Sequence, residues 1–526
     1  MRQELINEFS DLPGLENINI ITDASELKRY HANTMSASRQ IAAVIIITNA
    51  TQISKVLKIA NKYKISVYPI STGNNWGYGS ANPVINDSII LDLSNLNQIL
   101  AFDEELGYVT LEPGVTQKIL HNYFQEKGVS YLVPTTGAGP NCSILGNAIE
   151  RGYGITPFSN HFESLISLEA VLPDGSIYRS PLSDFEATEV AEIFKYGIGP
   201  YLDGIFTQSN FGIVTKITIA LAKKSEHTEI FMFSIKEAKE LSKTIRIIRE
   251  LKRELGSIVG GINLMNRERI IAMFGEQYEK ETALWTCVGG LYGSSGIIKQ
   301  AKRIIKRKLR LLSMSVIFLN RKKIKNLTRL KNSLPNYINK CFFGIPDTIS
   351  TMDNFFNILN GVPSEMTLPL AYLKTEKLPD LNGDVNPAID ECGLIWFSPL
   401  LPIRPNTVEV FIKKVTSICK KYNIDPLITL TTISDLCFDS TIPILYNKNK
   451  INDKKIARSC YNELFKMSRD IGLMPYRINI DTMKIYNDEQ HLTSVKLISK
   501  IKNAIDPNHI LGPGRYSPYH SKKQLK

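Results

Sequence analysis

The residues of this chain best suited to chemistry lie in three glycine-bearing segments. The first, Val67-Tyr68-Pro69-Ile70-Ser71-Thr72-Gly73-Asn74-Asn75-Trp76-Gly77-Tyr78-Gly79, runs from a short apolar strand into a loop with three glycines and no acid. Successive peptide N–H groups converge on an anion only where no Cβ blocks the approach, so the loop reads as a phosphate cradle. Its spacing is neither the dinucleotide fingerprint G-x-G-x-x-G nor the P-loop, and neither a nicotinamide nor a nucleoside triphosphate follows from it. A tight turn with two packed aromatics would use the same residues. The second segment runs from Pro134-Thr135-Thr136-Gly137 through Gly146-Asn147 to Gly154-Ile155-Thr156-Pro157, and the third is Gln208-Ser209-Asn210-Phe211-Gly212. Long irregular backbone needs hydrogen-bond partners, which a bound ligand can provide.

The elements that must position these loops follow from periodicity. Ala42–Thr48 is a β-branched run fit for a buried strand, and Ile53, Val56, Leu57 and Ala60 then fall at helical spacing behind Asn49 and Thr51 as caps. Strands are expected at Val67, Ser88–Leu93, Tyr108–Leu111, Leu165–Leu172 and Gly212–Ile219, with a helix through Ile119, Leu120, Tyr123 and Phe124. From His227 the texture changes to long helical patterns alternating with strands, as in Ala238–Leu255. This suggests a second domain that ends near Asp470. A tail helix through Val495, Ile498, Ile501 and Ile505 stops at Asp506-Pro507, ahead of Gly512-Pro513-Gly514-Arg515. The class is α+β, divided 1–226, 227–470 and 471–526.

Composition sets the outer limits. A chain of 526 residues with 43% hydrophobic and 22% charged residues can bury several cores, and it holds no apolar run of the roughly 20 residues that a membrane helix needs. The N-terminal residues lack a secretory h-region, so the cytoplasm is the expected location, with no membrane partner. Seven cysteines without a Cys-x-x-Cys pair fit reduced thiols, and no metal site is expected. Much of the formal charge of +12 lies between Lys299 and Lys331, where no acid occurs. Isoleucines and leucines interleave these cations and aromatics are scarce, which favours a solvated amphipathic face over a nucleic-acid site.

Taken together, the segments resemble the vanillyl-alcohol oxidase and p-cresol methylhydroxylase family of FAD-linked oxidoreductases. The resemblance rests on Ser71-Thr72-Gly73-x-Asn75-x-Gly77-Tyr78-Gly79, Glu112-Pro113-Gly114-Val115, Gly146-Asn147-Ala148-x-Glu150-Arg151-Gly152-x-Gly154-x-Thr156-Pro157, Tyr196-Gly197-x-Gly199-Pro200-Tyr201, Gln208-Ser209-Asn210-x-Gly212-Ile213-Val214-Thr215 and Asp506-Pro507-Asn508, all in order. It implies a two-domain FAD-binding fold in which an α+β cap is inserted over the flavin. It also implies FAD held by Ser71, Thr72, Gly73, Asn74, Asn75, Gly77, Tyr78, Pro134, Gly137, Gly146, Asn147, Arg151, Gly154, Gly212, Ile213, Val214 and Arg515. The activity implied is hydride transfer to flavin N5 from an activated carbon, most often the benzylic carbon of a para-substituted phenol, by an oxidase or dehydrogenase. A small-molecule substrate, a redox partner protein and a homo-oligomer belong to the same implication.

In relatives that oxidise phenols, two tyrosines and an arginine bind the phenolic oxygen as phenolate. The matching positions are Tyr78, Tyr476 and Arg477. Because a phenol has a pKa of about 10, an adjacent guanidinium and O–H donors are needed to favour the anion near neutrality. Three departures stand out. Asn160 replaces an aspartate, and since an amide cannot act as a base it is expected to orient substrate or flavin. Leu394 occupies the position of a flavin-linking histidine, and Tyr372 is the nearest tyrosine in the cap, so FAD is expected to be non-covalent. The arginine and histidine pair of relatives is missing from Thr429–Asp439, where Asp435 or Asp439 could supply a carboxylate, with a loop or cap role as the expectation. These losses also leave open an FAD enzyme acting on a non-phenolic alcohol or amine, or a non-catalytic flavin-binding protein.

Overall fold

The computed structural model describes residues 8–519 apart from 10–12, 16–17, 36, 276–278, 281, 311, 313, 334–347 and 377–384. Asn19–Ile21 (β1), Ile41–Ile46 (β2), Val67–Ile70 (β3) and Ser88–Asp92 (β4) form one sheet in the order β1-β2-β4-β3, with β2, β4 and β3 parallel. A parallel pair needs a crossover. The helix Thr51–Tyr63 supplies it between β2 and β3, burying Ile53, Val56, Leu57, Ile59 and Ala60. Asn49 rather than Thr51 provides the side-chain oxygen at its start, accepting the Thr51 N–H at 2.9 Å.

Ile99–Asp103 (β5), Tyr108–Leu111 (β6), Leu165–Val171 (β7), Ile177–Arg179 (β8) and Ile213–Ala220 (β9) make a second, antiparallel sheet in the order β5-β6-β9-β7-β8. A third sheet takes every remaining described strand: His227–Ile235 (β10), Val259–Asn266 (β11), Trp285–Gly293 (β12), Ile317–Leu319 (β13), Gly393–Phe397 (β14), Leu400–Pro402 (β15), Thr429–Thr432 (β16) and Cys437–Tyr446 (β17). Its order is β13-β10-β12-β11-β16-β17-β14, with β15 paired to β17.

The period of two splits this third sheet into two unlike faces. Phe231, Phe233, Ile262, Leu264, Cys287 and Leu430 face a core shared with residues of the helices Leu241–Leu255, Ser295–Arg310, Pro405–Lys421 and Ile451–Asp470. Their strand neighbours Met232, Asn263, Met265, Thr286, Val288 and Thr431 line a cavity on the opposite face. Much of the basic stretch lies on one of those helices, which buries Ile298, Ala301, Ile305 and Leu309. Ion pairs Lys302–Glu229, Arg307–Glu254 and Lys308–Glu250 tie its charged side to neighbouring elements, the solvated face expected from the sequence.

The tail helix Thr493–Ile505 returns the chain to the first sheet, where the Val67 N–H donates to the Ile510 carbonyl at 2.7 Å. A fully buried pair locks this return. Lys502 Nζ lies 2.6 Å from Asp506 and also donates to the carbonyls of Asn210 and Leu511 at 2.7 and 2.9 Å. Asp506 in turn accepts the N–H groups of Ile510 and Leu511. The contact with Asn210 anchors the third glycine segment, so Lys502→Met, which strands the Asp506 charge, is expected to cost about 3–5 kcal/mol. Urea unfolding would show this as a lower midpoint with an unchanged slope.

Candidate active site

The three glycine segments meet at one cavity of about 330 Å³. Ser71, Thr72, Gly73, Asn74, Asn75 and Tyr78 arrive from the loop after β3, Gly137, Gly146 and Asn147 from the second segment, and Gly212, Ile213 and Val214 from the start of β9. Arg515 reaches it from the tail. Of the expected cofactor residues, Gly77, Pro134, Arg151 and Gly154 lie off this wall. Arg151 instead donates to Thr207 Oγ1 at 3.0 Å, and Gly154 lines a second cavity.

Local chemistry explains the wall. Ser143 caps the short helix Ile144–Ile149 by accepting the Gly146 N–H at 2.9 Å, which brings Gly146 against Ser71. A Cβ at Gly146 would sit 2.6 Å from Ser71 Oγ. Gly77 has φ of +75°, and a Cβ there would come within 2.2 Å of the Trp396 indole, so both backbone and space require glycine. Ser209 Oγ and Trp76 Nε1 line the cavity, buried and without a hydrogen-bond partner among the described residues. An elongated ligand with hydrogen-bonding groups along its length, as FAD has, suits a cavity lined by such unpartnered polar atoms.

At one end of the cavity Tyr78, Tyr476 and Arg477 come together from opposite ends of the chain. The Arg477 guanidinium lies 4.5 Å over the Tyr78 ring, a cation–π contact. Tyr78 Oη donates to Ser398 Oγ at 3.2 Å. Burial pushes the Tyr78 pKa up to about 12, while Arg477, Ser398 and Tyr476 pull it partly back. Burial raises Tyr476 well above the ordinary tyrosine value, so both hydroxyls stay protonated and able to donate.

Glu150 holds the cations in place. Its carboxylate pairs with Arg515 and lies 3.1 Å from Arg477 Nε, in ion-pair range without the alignment of a hydrogen bond. Arg477 Nη2 donates to Asn75 Oδ1 at 2.6 Å, and Arg515 Nη1 to the Tyr68 hydroxyl at 2.6 Å. The sequence reading missed Glu150, although it sits inside the quoted motif beside Arg151.

The two aspartates that the sequence left to the loop or cap part company. Asp435 is a surface residue paired with Arg253 at 2.9 Å, whereas Asp439 is fully buried. Its Oδ2 accepts from the Tyr153 hydroxyl and, at 2.8 Å, from Thr441 Oγ1, while Oδ1 has no hydrogen-bond partner among the described residues. Burial raises its pKa to about 6, more than these hydrogen bonds offset. Tyr153 packs edge-on against Tyr476 with ring centroids 5.8 Å apart, which puts the Asp439 pair next to the group of Tyr78, Tyr476 and Arg477. Alternation along β17 is the signal that was available: Asp439 and Thr441 share one face.

Asn160 lies apart from this group. It forms an isolated bridge with Tyr153 and lines neither cavity, so its contribution is to the backbone that presents Tyr153. His161 is buried, its Nδ1 2.6 Å from Asn147 Nδ2, and burial lowers its pKa to about 4, so it is neutral near pH 7. Leu394 lines the second cavity, and the Tyr372 hydroxyl donates to Asp390.

That second cavity, about 530 Å³, lies between the face of the third sheet that carries Met232, Asn263, Met265 and Thr431 and the helix Arg267–Phe274. Tyr153, Trp76, Trp396 and Thr441 line both cavities, so the two are adjoining chambers.

Residues 41–180 match the family model described as an FAD binding domain. The chain is 28% identical to 1'-carboxy-chondrochloren decarboxylase of Chondromyces crocatus, over 96% of each protein. It is 27% identical to the flavoprotein subunit of 4-cresol dehydrogenase (hydroxylating) of Pseudomonas putida, over 97% of this chain and 94% of that protein. Its structure superposes on p-cresol methylhydroxylase with substrate bound at a TM-score of 0.85, covering 99% of this chain and 98% of the other at 24% identity.

Proposed function

On the premise that this chain is an FAD-linked oxidoreductase with the p-cresol methylhydroxylase fold, we propose that it removes hydride from the benzylic carbon of a para-substituted phenol. The observation that carries this reading is that Tyr78, Tyr476 and Arg477 line the same cavity, with the Arg477 guanidinium 4.5 Å over the Tyr78 ring. FAD, when bound, supplies the hydride acceptor. Ser71–Asn75, Gly146 and Gly212–Val214 would hold it, with Arg515 beside them.

The protein's own groups perform the rest. Arg477 offers positive charge to the phenolic oxygen while Tyr78 and Tyr476 offer O–H donors, and their burial strengthens each contact. The proton leaving the phenol is received at Tyr153 Oη, which passes its own proton to Asp439 Oδ2. With Asn160 unable to accept a proton, this relay takes the role of base. Similarity to the 4-cresol enzyme supports the substrate class.

Anaerobic mixing with 4-alkylphenols should bleach the flavin absorbance, and failure across that series with reduction by non-phenolic alcohols or amines would sink the reading. FAD is non-covalent in this proposal because Leu394 has no nucleophile and the Tyr372 hydroxyl is engaged by Asp390. Acid precipitation should therefore leave a colourless pellet and a yellow supernatant. We also assign residues 1–226 and 471–526 to the FAD-binding part, 227–470 to the cap, and the cytoplasm as location. No described helix is long and apolar enough to cross a membrane.

A further inference from the structure

The larger chamber contains a charge that the chemistry above leaves unused. Arg269 projects into it from the helix Arg267–Phe274, which Asn266 caps by accepting the Arg269 N–H at 3.1 Å. Its Nε and Nη1 are buried and have no hydrogen-bond partner among the described residues. The only other charged side chain on the described wall is Lys236, and no described carboxylate lines it. Most of the remaining wall is apolar, with Met232, Met265, Ile270, Phe274 and Met352 among its residues.

Burying a guanidinium without an acceptor is unfavourable, and its pKa falls to about 10 as a result, with Tyr153 partly offsetting the burial. The described groups nearby do not relieve that cost. An anion carried in by a ligand would, through charge-assisted hydrogen bonds. The chamber adjoins the phenol-binding end through Tyr153, so one molecule can occupy both.

We propose that this chamber receives the tail of the substrate and that Arg269 binds a carboxylate on it, which makes the substrate a para-substituted phenol bearing an acid group. The proposal rests on the phenol reading only for the other end of the molecule. A single guanidinium among methionines and aromatics matches one carboxylate on an apolar chain. A phosphate dianion would bring two charges to a wall where Arg269 is the one cation withdrawn from solvent among the described residues, Lys236 being exposed.

The test uses the FAD-loaded protein and 4-hydroxyphenylalkanoates of increasing length from propanoate to octanoate, each beside its methyl ester, with plain hexanoate and octanoate as ligands that carry no phenol. Binding is read by quenching of protein fluorescence, since Trp76 and Trp396 line the chamber, and turnover by apparent KM. At the best length the acid should bind about ten-fold or more tightly than its ester. Arg269→Gln should erase that preference by weakening the acid alone, and Arg269→Lys should restore part of it. Equal binding of acid and ester by the wild type at every length would overturn the proposal. So would a loss in Arg269→Gln shared equally by acid and ester, which would mean packing. If the plain alkanoates bind in an Arg269-dependent way while no phenol reduces the flavin, the carboxylate site stands and the phenol reading falls. If acids and esters reduce the flavin equally well, the reverse holds.

Discussion

Arg477→Ala is expected to lower kcat/KM for a 4-alkylphenol by about 10³-fold. Holding a phenol of pKa about 10 as its anion near pH 7 requires on the order of 4 kcal/mol of preferential binding, at 1.36 kcal/mol for each pKa unit. The two tyrosine hydroxyls donate to that oxygen but carry no charge, so Arg477 is the group that can supply most of it. The fold should survive the change. Glu150 keeps its pairing with Arg515, so no buried carboxylate is left alone. Arg477→Lys should recover only part of the activity, because an ammonium cannot reach Asn75 Oδ1 and the Tyr78 face together as the planar group does. Steady-state kinetics with the flavin content measured on each variant decides the matter. An unchanged kcat/KM in a fully loaded Arg477→Ala protein would rule out phenolate binding.

Asp439→Asn is expected to lower kcat/KM by about 10²–10⁴-fold and to remove the acidic limb of the pH profile. In the wild type that limb should lie near pH 6, with activity rising as pH increases through it, because only the ionised carboxylate can take a proton from Tyr153. The direction of the stability effect separates catalysis from structure. A carboxyl held at about 6 rather than 3.8 binds its proton more tightly in the fold than in the unfolded chain. Asp439 therefore favours folding most below pH 3.8, and that contribution is lost as pH rises to about 6. Above that, the ionised group costs the fold on the order of 3 kcal/mol. Asp439→Asn removes the charge, so at pH 7 it should be no less stable than the wild type while far less active. Thermal unfolding beside a pH–rate profile shows both. A stability loss that tracks the activity loss would assign Asp439 to structure alone.

Most elements around the cofactor wall could be read from residue order because their signals are local. The β-branched run before Asn49, the helical spacing of Ile53, Val56, Leu57 and Ala60, and the glycines of the loop after β3 each depend on neighbours within a few positions. The helix Ile144–Ile149 escaped notice inside a stretch read as loop. At six residues with an internal Gly146, it is too short for periodicity, and its Ser143 cap is the clearer mark. Asn160 was placed in the site by analogy with an aspartate, yet the bridge to Tyr153 uses it as backbone support.

What the sequence alone determined was the α+β class and the glycine loops, since each is carried by contiguous motifs, while the grouping of Tyr78 with Tyr476 and Arg477 came from the family resemblance. Only the tertiary structure revealed Glu150 as the carboxylate between Arg477 and Arg515, Asp439 as a buried carboxyl behind Tyr153, and Arg269 as a cation without a hydrogen-bond partner for its Nε and Nη1 among the described residues of a largely apolar chamber. The reason is electrostatic. The character of a charged side chain depends on how much water surrounds it and which charge stands opposite, and both are set by segments far away in the chain. Asp435 and Asp439 lie four positions apart on one strand and turn, yet one is an exposed partner of Arg253 and the other is sealed beneath the site.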